Sequence, residues 1–380
     1  MQIPDDFILP RYGHSALSDL LPSIGAHLGV PGCDRDVLGL PSAESYVVLL
    51  VDGLGDQLLR QSLQHTEYFS EVYGDAVRLT SGVPSTTATS LTCLGTGLVP
   101  GQHGTAGYSF RAPGCSHAMN ALTWEGGPDD LLGFQPKATM FERLAAAGVT
   151  VTSVGLERFA GSGLTTTALR GPRFVGVDEL DHPARIEASV AASREGSRNV
   201  VYVYERTLDH TGHGKGVASQ EWLDALTSID GFAAQLREAL DDQVCLLVTG
   251  DHGMIDVSAE RHVLVEDSPA LLQGVDVFAG EGRLRQLWTS EPGAVQRRWE
   301  AELGERALVV SRVQAVEAGW FGPMDASLRD RFGDVLVAMR DDWAVMTRAL
   351  PRELGLVGQH GSLTPAEMQV PLLVDHPASW

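Results

Sequence analysis

Carboxylate and imidazole side chains follow three predicted strands of this chain, at the points where those strands end. With one further imidazole between glycines near the C-terminus, the candidates are Asp52 after Tyr46–Val51, Asp209 and His213 after Val200–Tyr204, Asp251 and His252 after Val244–Thr249, and His360 in Gly358–Gly361. The ligand crevice of an open parallel sheet lies beyond the carboxyl ends of its strands, so we expect these six side chains to converge. Oxygen and nitrogen ligands in this ratio favour two divalent cations, zinc first and manganese as the alternative.

Each of these motifs has an ordinary structural explanation when it is taken alone. Asp52-Gly53 after a strand is a common turn pair. The spacing of Asp209 and His213 is also that of a surface pair on one helix face. Their joint occurrence at successive strand ends is much harder to explain in this way, and it favours a metal centre.

A hydroxyl-rich segment supplies candidate nucleophiles. Thr80–Thr92 is dense in Ser and Thr and leads into the helix-like run Ala88–Leu94. A hydroxyl at a helix N-terminus faces unpaired N–H groups and the positive end of the helix dipole, which suits a phosphate group. A neighbouring cation would lower the pKa of such a hydroxyl and favour its alkoxide. The alternative is that these residues are helix caps and turn formers, the commoner role of Ser and Thr.

The elements that must position these side chains alternate along the chain. Continuous apolar runs, typical of buried parallel strands, alternate with amphipathic stretches typical of helices. We therefore predict an α/β fold with a mostly parallel central sheet and helices on both faces. The clearest candidates are the strands Tyr46–Val51, Thr150–Val154, Val200–Tyr204 and Val244–Thr249 and the helices Ala88–Leu94, Ala138–Ala147 and Gln220–Leu240.

The sequence pattern changes after Met254, and the new pattern predicts an inserted subdomain. Short strand-like runs and one helix-like run occur there: Arg261–Val265, Val275–Ala279, Arg283–Trp288, Pro292–Leu303 and Ala307–Val310. We predict a small α+β cap over residues 259–333. The catalytic core would comprise residues 1–258 and 334–380, and the core pattern would resume with the strand Val335–Met339.

Composition excludes several classes of protein. Lys and Arg number 28 against 49 Asp and Glu, a formal net charge of −21, which argues against sequence-specific binding of nucleic acid. No apolar run approaches the ~18 residues of a membrane span. The acidic N-terminus lacks the pattern of a secretory signal, so we expect a cytoplasmic protein. The four cysteines show no zinc-type spacing, and a disulfide is not expected in that compartment.

Taken together, the motifs resemble the alkaline phosphatase superfamily, and most of all its nucleotide pyrophosphatase/phosphodiesterase and phosphonoacetate hydrolase branches. They occur in the order of that superfamily, between about residues 46 and 361. The motifs are Val51-Asp52-Gly53, Pro84-Ser85-Thr86-Thr87, Thr96-Gly97 with His103-Gly104, Asp209-x-x-x-His213, Asp251-His252-Gly253 and His360-Gly361.

The resemblance implies a role for each candidate residue. A Thr ten residues before the Gly of the Thr-Gly pair is the nucleophile of that superfamily, which corresponds to Thr87 before Gly97. Three residues after its nucleophile, the phosphodiesterase branch has an Asn that helps to hold a phosphoryl oxygen. This chain has Ser90 there, which is therefore the candidate substrate-binding residue. The resemblance assigns one cation to Asp209, His213 and His360, and the second, beside the Thr87 hydroxyl, to Asp52, Asp251 and His252.

The predicted function is a two-metal hydrolase of phosphate esters that acts through a covalent phospho-threonine intermediate. A phosphodiesterase or nucleotide pyrophosphatase with a small-molecule substrate comes first. The alternatives are a phosphomonoesterase or a hydrolase of phosphonates such as phosphonoacetate. Less favoured are a two-metal hydrolase that attacks with hydroxide and has no covalent step, and a binding protein whose cations are structural. The sequence predicts no oligomeric state.

Overall fold

The computed structural model describes residues 3–112 and 114–376 of the chain. Its strands, in chain order, are β1 (Ser45–Val51), β2 (Val77–Thr80), β3 (Ser109–Arg111), β4 (Ala118–Asn120), β5 (Thr150–Gly155), β6 (Arg173–Gly176), β7 (Asn199–Glu205), β8 (Val244–Gly250), β9 (Ile255–Asp256), β10 (His262–Leu264), β11 (Val277–Glu281), β12 (Leu284–Trp288), β13 (Ala307–Ser311), β14 (Val335–Met339), β15 (Ala344–Met346), β16 (Gly358–Gln359) and β17 (Gln369–Asp375).

The α-helices are interleaved with these strands. They are α1 (Leu20–His27), α2 (Asp56–Ser62), α3 (Tyr68–Val72), α4 (Thr87–Thr96), α5 (Pro100–His103), α6 (Leu131–Phe134), α7 (Met140–Ala146), α8 (Gly163–Ala168), α9 (His182–Ser193), α10 (Thr207–Lys215), α11 (Gln220–Ala239), α12 (Pro292–Leu303), α13 (Arg312–Glu317) and α14 (Pro365–Met368). Within the described ranges, no helix combines the length and the apolar character that a membrane span requires.

The central sheet confirms the predicted α/β fold. Among residues 3–112 and 114–376, seven strands form it in the order β2-β17-β8-β1-β7-β5-β6. Neighbouring strands are parallel except that β17 runs antiparallel to both β8 and β2. The four predicted core strands and three predicted helices lie within one or two residues of their observed bounds. The short β2 and the antiparallel β17 were not predicted.

Helices cover both faces of this sheet. In β1, residues Val47, Leu49 and Val51 belong to one hydrophobic cluster, which includes the apolar face of α11. The intervening residues Val48 and Leu50 belong to a second cluster, which α1, α4 and α7 contribute to. This alternation follows from the period of two residues in a strand, and it explains why β1 has no polar face.

A separate antiparallel sheet lies within the residues after Met254, and its extent differs from that of the predicted cap. In the part of the chain that the structure describes, four strands form this sheet in the order β11-β12-β14-β13. The prediction that the core resumes with Val335–Met339 is wrong, because that strand is β14 and pairs with β12 and β13. Residues 344–346 also pair outside the central sheet, with β10. The second unit therefore continues beyond residue 333.

The burial of β14 explains why the sequence pattern was misleading. Val335, Val337 and Met339 pack in the cluster beneath α12, while Leu336 and Ala338 face the main core. A strand that is buried on both faces reads as a continuous apolar run, whichever sheet it joins. The sequence identified the strand correctly but could not identify its partners.

A buried ion pair joins the second sheet to the core. The Arg283 guanidinium, just before β12, donates from Nη2 to Glu367 Oε2 over 2.8 Å and from Nε to Oε1 over 3.1 Å. Both side chains are fully buried. Glu367 also accepts hydrogen bonds from Ser362 N and Thr364 Oγ1, so one carboxylate fixes the segment directly after His360.

Removal of this carboxylate charge should destabilise the protein strongly. Glu367→Gln leaves the Arg283 guanidinium buried without a counter-charge, which costs about 3–5 kcal/mol for comparable pairs. Urea denaturation followed by circular dichroism measures the free energy of unfolding. The matched control is Asp241→Asn, which breaks an Arg–carboxylate pair on the surface, where both side chains are more than half exposed. Equal stability of the two variants would contradict a stabilising role for the buried pair.

Candidate metal centre and active site

The register of the central sheet brings the first two carboxylates together. Val51 at the end of β1 pairs with Gly250 of β8 on one side and with Glu205 of β7 on the other. Asp52 and Asp251 are the next residues of their strands, so they leave the sheet side by side. The Asp52 amide donates to the Glu205 carbonyl over 2.8 Å and extends the ladder by one bond.

Close packing of α10 against this edge brings the third carboxylate to the same place. Gly53 has a φ of +77°, and a Cβ atom added there would lie 3.1 Å from both Cα and Cβ of Asp209. Glycine is therefore required for the turn and for the approach of the helix. At the N-terminus of α10, the Glu205 carboxylate accepts hydrogen bonds from Thr207 N and Oγ1, over 2.8 and 2.6 Å.

The six predicted ligands form two clusters of three. In each cluster the ligand atoms lie within 4.8 Å of one another. In the first, His252 Nε2 lies 3.4 Å from Asp52 Oδ1 and 3.5 Å from Asp251 Oδ2. In the second, Asp209 Oδ1 lies 3.4 Å from His213 Nε2 and 3.9 Å from His360 Nε2. The clusters adjoin, since the rings of His252 and His360 stack with centroids 3.7 Å apart.

Hydrogen bonds to the backbone orient all three imidazoles. Nδ1 of His252 lies 2.9 Å from the Gly253 carbonyl, Nδ1 of His213 lies 2.7 Å from that of Gly358, and Nδ1 of His360 lies 3.0 Å from that of Ser85. A carbonyl only accepts, so each Nδ1 donates, and a ring in its neutral form then presents the Nε2 lone pair to the cluster. This arrangement of a backbone acceptor behind an imidazole is typical of metal ligands.

Ser85 joins the loop of His360 to the loop before α4. Its carbonyl accepts from the His360 ring, its amide donates to the Gly361 carbonyl over 3.1 Å, and its hydroxyl donates to the Ser362 carbonyl over 2.6 Å. The position of His360 is therefore tied to the segment that carries Thr87. In the sequence, Ser85 belongs to the motif Pro84-Ser85-Thr86-Thr87, but nothing there indicates that it links the two loops.

The carboxylates of the two clusters repel one another, and bound positive charge would reduce this repulsion. Burial raises the pKa of the Asp52 carboxyl well above its ordinary value, and the carboxylates of Asp251 and Asp209 raise it further. Burial also raises the pKa of Asp251. Burial, followed by the rings of His252 and His213, lowers the pKa of His360 well below its ordinary value. Ionised carboxylates in this place would carry negative charge that His360 does not balance, and cations between the two clusters would balance it.

Two carboxylate oxygens in the clusters are buried and lack a hydrogen-bond donor among the described residues. Asp251 Oδ1 accepts from the amides of Gly53 and His252, over 3.0 and 2.9 Å. Asp251 Oδ2 and Asp209 Oδ1 are buried and accept no hydrogen bond from any residue that the structure describes. Buried acceptors are normally paired, so unpaired ones beside imidazole lone pairs fit direct ligation of a cation. Each cluster offers three ligands from Asp and His, the number typical of an open catalytic zinc site.

Thr87 stands beside the first cluster, at the first position of α4. Its Oγ1 lies 3.2 Å from His252 Nε2 and 3.5 Å from Asp52 Oδ1. The residue lines the wall of a cavity and is 8% exposed. Of the hydroxyl-rich segment, Thr87 thus lies both beside the first cluster and at the N-terminus of a ten-residue helix.

Ser90 lies elsewhere. Its Oγ is 2.8 Å from Ser81 Oγ, and both side chains are fully buried. One residue further along α4, Leu91 lines the cavity instead. A substrate in the cavity would meet Leu91 on this part of α4, so the placement gives no support to the predicted substrate-binding role of Ser90.

The cavity beside the clusters has a volume of about 550 Å³. Its polar end contains Asp52, Thr87 and Asp209, and its other walls are mainly apolar and aromatic, with arginines among them. These walls include Leu91, Leu122, Phe159, Leu164, Leu169, Phe174, Tyr202, Tyr204, Arg158, Arg206 and Arg352. Sequence reasoning did not identify them, because their apolar types are equally typical of a core.

The second sheet also reaches the cavity. Glu281, at the end of β11, lines it, and its Oε2 lies 3.6 Å from His360 Nδ1. Gly361 has a φ of +130°, and a Cβ there would meet Glu281 Cγ at 2.7 Å. Burial raises the pKa of the Glu281 carboxyl well above its ordinary value. The second sheet thus contributes a carboxyl group to the wall of the cavity.

The model of the type I phosphodiesterase / nucleotide pyrophosphatase family matches residues 46–363. The chain belongs to this family. The matched range contains all six clustered residues and Thr87, and it confirms the resemblance indicated by the sequence motifs. The family name denotes phosphoric ester hydrolases.

Two curated relatives match short segments of this family member. GPI ethanolamine phosphate transferase 3 of Eremothecium gossypii is 30% identical over 114 residues, which are 29% of this chain and 10% of that protein. Ectonucleotide pyrophosphatase/phosphodiesterase family member 7 of Rattus norvegicus is 31% identical over 94 residues, 23% of this chain and 21% of that protein. The chain thus spans a minor part of the length of either relative.

Solved structures of two hydrolases share the fold over most of its length. Murine ectonucleotide pyrophosphatase/phosphodiesterase 5, in an inactive form with a Thr-to-Ala substitution and in complex with AMP, has a TM-score of 0.68 at 16% identity over 88% of each chain. Phosphonoacetate hydrolase from Sinorhizobium meliloti 1021, in complex with phosphonoacetate, has a TM-score of 0.67 at 18% identity over 88% of this chain and 91% of its own.

The position of Ser90 predicts that its hydroxyl is dispensable for turnover. Ser90→Ala removes a hydrogen bond from Ser81 that lies outside the cavity, at a cost of about 1 kcal/mol in stability. Steady-state hydrolysis of bis(p-nitrophenyl) phosphate should give kcat and KM within about twofold of the unsubstituted protein, a change below 0.5 kcal/mol. A large rise in KM would restore Ser90 as a substrate-binding residue.

Proposed function

We propose that the protein is a two-metal phosphodiesterase or nucleotide pyrophosphatase that acts through a covalent intermediate on Thr87. The observation that carries the proposal is the position of the Thr87 hydroxyl, within 3.5 Å of two residues of the first cluster and at the start of α4. One cation would be held by Asp52, Asp251 and His252, and the other by Asp209, His213 and His360. Zinc suits these ligands best, with manganese as the alternative.

The chemistry divides between the cations and the chain. When bound, divalent cations lower the pKa of a neighbouring hydroxyl and stabilise charge on phosphoryl oxygens. Thr87 Oγ attacks phosphorus, forming the Oγ–P bond as the bond to the leaving oxygen breaks. The leaving group departs as an alcohol or a phosphate. Water then breaks the Oγ–P bond and releases the second product and the free threonine.

The N-terminus of α4 would stabilise the transferred phosphoryl group during both steps. The first amides of a helix have no partner within it, and they carry the positive end of the helix dipole. They lie beside Thr87 because it is the first residue of α4. A phosphoryl group on Oγ would therefore meet N–H donors that are already fixed in direction, which favours its developing negative charge.

Two comparisons support this proposal. The murine relative of similar fold is inactive when a threonine is replaced by alanine, and it binds AMP. The cavity of about 550 Å³ with apolar and aromatic walls suits a phosphate ester that carries a sizeable organic group. A nucleotide or another diester of that size is the substrate class we propose.

Hydrolysis of a phosphonate is the second candidate. Phosphonoacetate hydrolase from Sinorhizobium meliloti has nearly the same TM-score as the phosphodiesterase. A molecule as small as phosphonoacetate would leave most of the cavity to water, and for this reason we place it second. Values of kcat/KM for a nucleotide diester, a nucleotide monoester and phosphonoacetate, measured side by side with Zn²⁺ and with Mn²⁺, distinguish the candidates.

Thr87→Ala should abolish turnover while the protein keeps its metal. Loss of a nucleophile lowers kcat by at least about 10³-fold in comparable enzymes. A diester with ³²P-labelled phosphorus should label the unsubstituted protein on acid quenching and leave the variant unlabelled. Thr87→Ser should keep the label, because it retains a hydroxyl.

A matched control for Thr87 exists in the same helix. The Thr92 hydroxyl donates to the Ala88 carbonyl and has no place in the cavity wall, so Thr92→Ala should retain both label and turnover. Near-normal turnover in Thr87→Ala, without labelling of any residue, would instead favour direct attack by hydroxide.

Each cluster should lose its own cation when one ligand is changed. Asp251→Asn and Asp209→Asn keep the size of the side chain but remove a charge that faces imidazole lone pairs. We expect elemental analysis after dialysis to find two divalent cations per chain in the unsubstituted protein and one in either variant. Circular dichroism checks that both variants fold. Unchanged metal content in both would contradict the assignment of the clusters.

A further inference from the structure

The two oxygens of the Asp52 carboxylate have different surroundings. Oδ1 faces the first cluster, at 3.4 Å from His252 Nε2 and 3.5 Å from Thr87 Oγ1. Oδ2 points the other way and accepts a hydrogen bond from the hydroxyl of Tyr204. Asp52 is only 3% exposed, so water has little access to compete for either oxygen. One carboxylate thus has one oxygen directed to the metal ligands and the other held by a phenol.

Packing holds the Tyr204 hydroxyl in place. Tyr204 stands on β7 opposite Leu50 of β1, two residues before Asp52. Its ring lies edge-on to Phe159, with centroids 5.9 Å apart, and is stacked with Tyr202 at 6.5 Å. A phenol fixed by a strand and two aromatic neighbours is a rigid donor, and a rigid donor selects one orientation of the carboxylate that it contacts.

We propose that Tyr204 is a positioning residue for the proposed metal centre. By occupying Oδ2, its hydroxyl presents Oδ1 alone to the cation of the first cluster and to Thr87. Without it, the Asp52 carboxylate is free to rotate or to chelate through both oxygens, and Oδ2 remains buried without a donor. Loss of such an outer hydrogen bond typically weakens metal binding by about 10–100-fold. The inference rests on the proposed function only for the presence of the cations.

The neighbouring Tyr202 provides a matched control. It lies on the same strand and the same face and lines the same cavity; Tyr202 is buried, and Tyr204 is partly buried. Its hydroxyl has no hydrogen-bond partner among the described residues. Tyr202→Phe therefore removes the same atom from the wall of the same cavity without removing a hydrogen bond to Asp52.

Metal affinity is the direct measurement. The chain is freed of metal with a chelator, and Zn²⁺ is titrated in competition with a chromophoric indicator. Tyr204→Phe should weaken one of the two binding steps by about 10–100-fold and leave the other unchanged. Tyr202→Phe should match the unsubstituted protein in both steps. Circular dichroism of the metal-free proteins checks folding.

The dependence of turnover on metal concentration gives a second readout. If Tyr204 only positions Asp52, the concentration of Zn²⁺ that half-restores turnover should rise for Tyr204→Phe by the same factor as the dissociation constant. At saturating Zn²⁺, kcat should return to within a few-fold of the unsubstituted value. A residue that acts on the substrate would instead lower kcat at every concentration of metal.

Two results would overturn the inference while the proposed function stands. One is an unchanged affinity of Tyr204→Phe, with two cations bound and normal turnover in the unsubstituted protein. The other is an equal loss in Tyr204→Phe and Tyr202→Phe, which would indicate a general effect on the cavity. If the unsubstituted protein binds no divalent cation, the proposed function and this inference fail together. If it binds Zn²⁺ in two steps but cleaves no phosphate ester, the predicted affinity change still supports the role of Tyr204.

Discussion

Two buried carboxylates, with a third that is partly buried beside them, are the constraint on which the site depends. Asp52, Asp209 and Asp251 repel one another, and burial of Asp52 and Asp251 removes the water that would otherwise screen these two. The protein places three imidazoles beside them, and an imidazole that ligates a metal does so in its neutral form, which cannot offset negative charge. Only added positive charge makes this arrangement favourable in its ionised form, and for this reason metal binding and local stability should be linked.

The scaffold keeps these groups together through contacts distant in sequence. The register of β1 with its two neighbours fixes the positions where Asp52 and Asp251 leave the sheet. Ser85 joins the loop of His360 to the start of α4, and the ion pair between Arg283 and Glu367 holds the segment that follows that loop against the second sheet. Thr87, the two clusters and the second sheet are therefore connected, and a local change can alter the geometry of the whole site.

The sequence predicted the site correctly where residues of metal-ligand type stand directly after a predicted strand. The strand-end rule predicted the convergence of both clusters, and the period of apolar residues predicted the parallel strands. The apolar pattern predicted the wrong sheet for Val335–Met339, because a strand that is buried on both faces has the same pattern in either sheet. The sequence could not separate Ser90 from Leu91, since the face that a helix turns to a cavity depends on packing. Tyr204 was missed because an aromatic residue in an apolar strand is an ordinary core residue.

Anomalous diffraction at the zinc absorption edge, from crystals grown with Zn²⁺, tests the central claim most directly. The account predicts two strong peaks, one within bonding distance of Asp52, Asp251 and His252, and the other within bonding distance of the second cluster. About 2.0–2.2 Å separates zinc from such ligands in other proteins. Absence of peaks at both clusters, or a single peak bound by other residues, would contradict it.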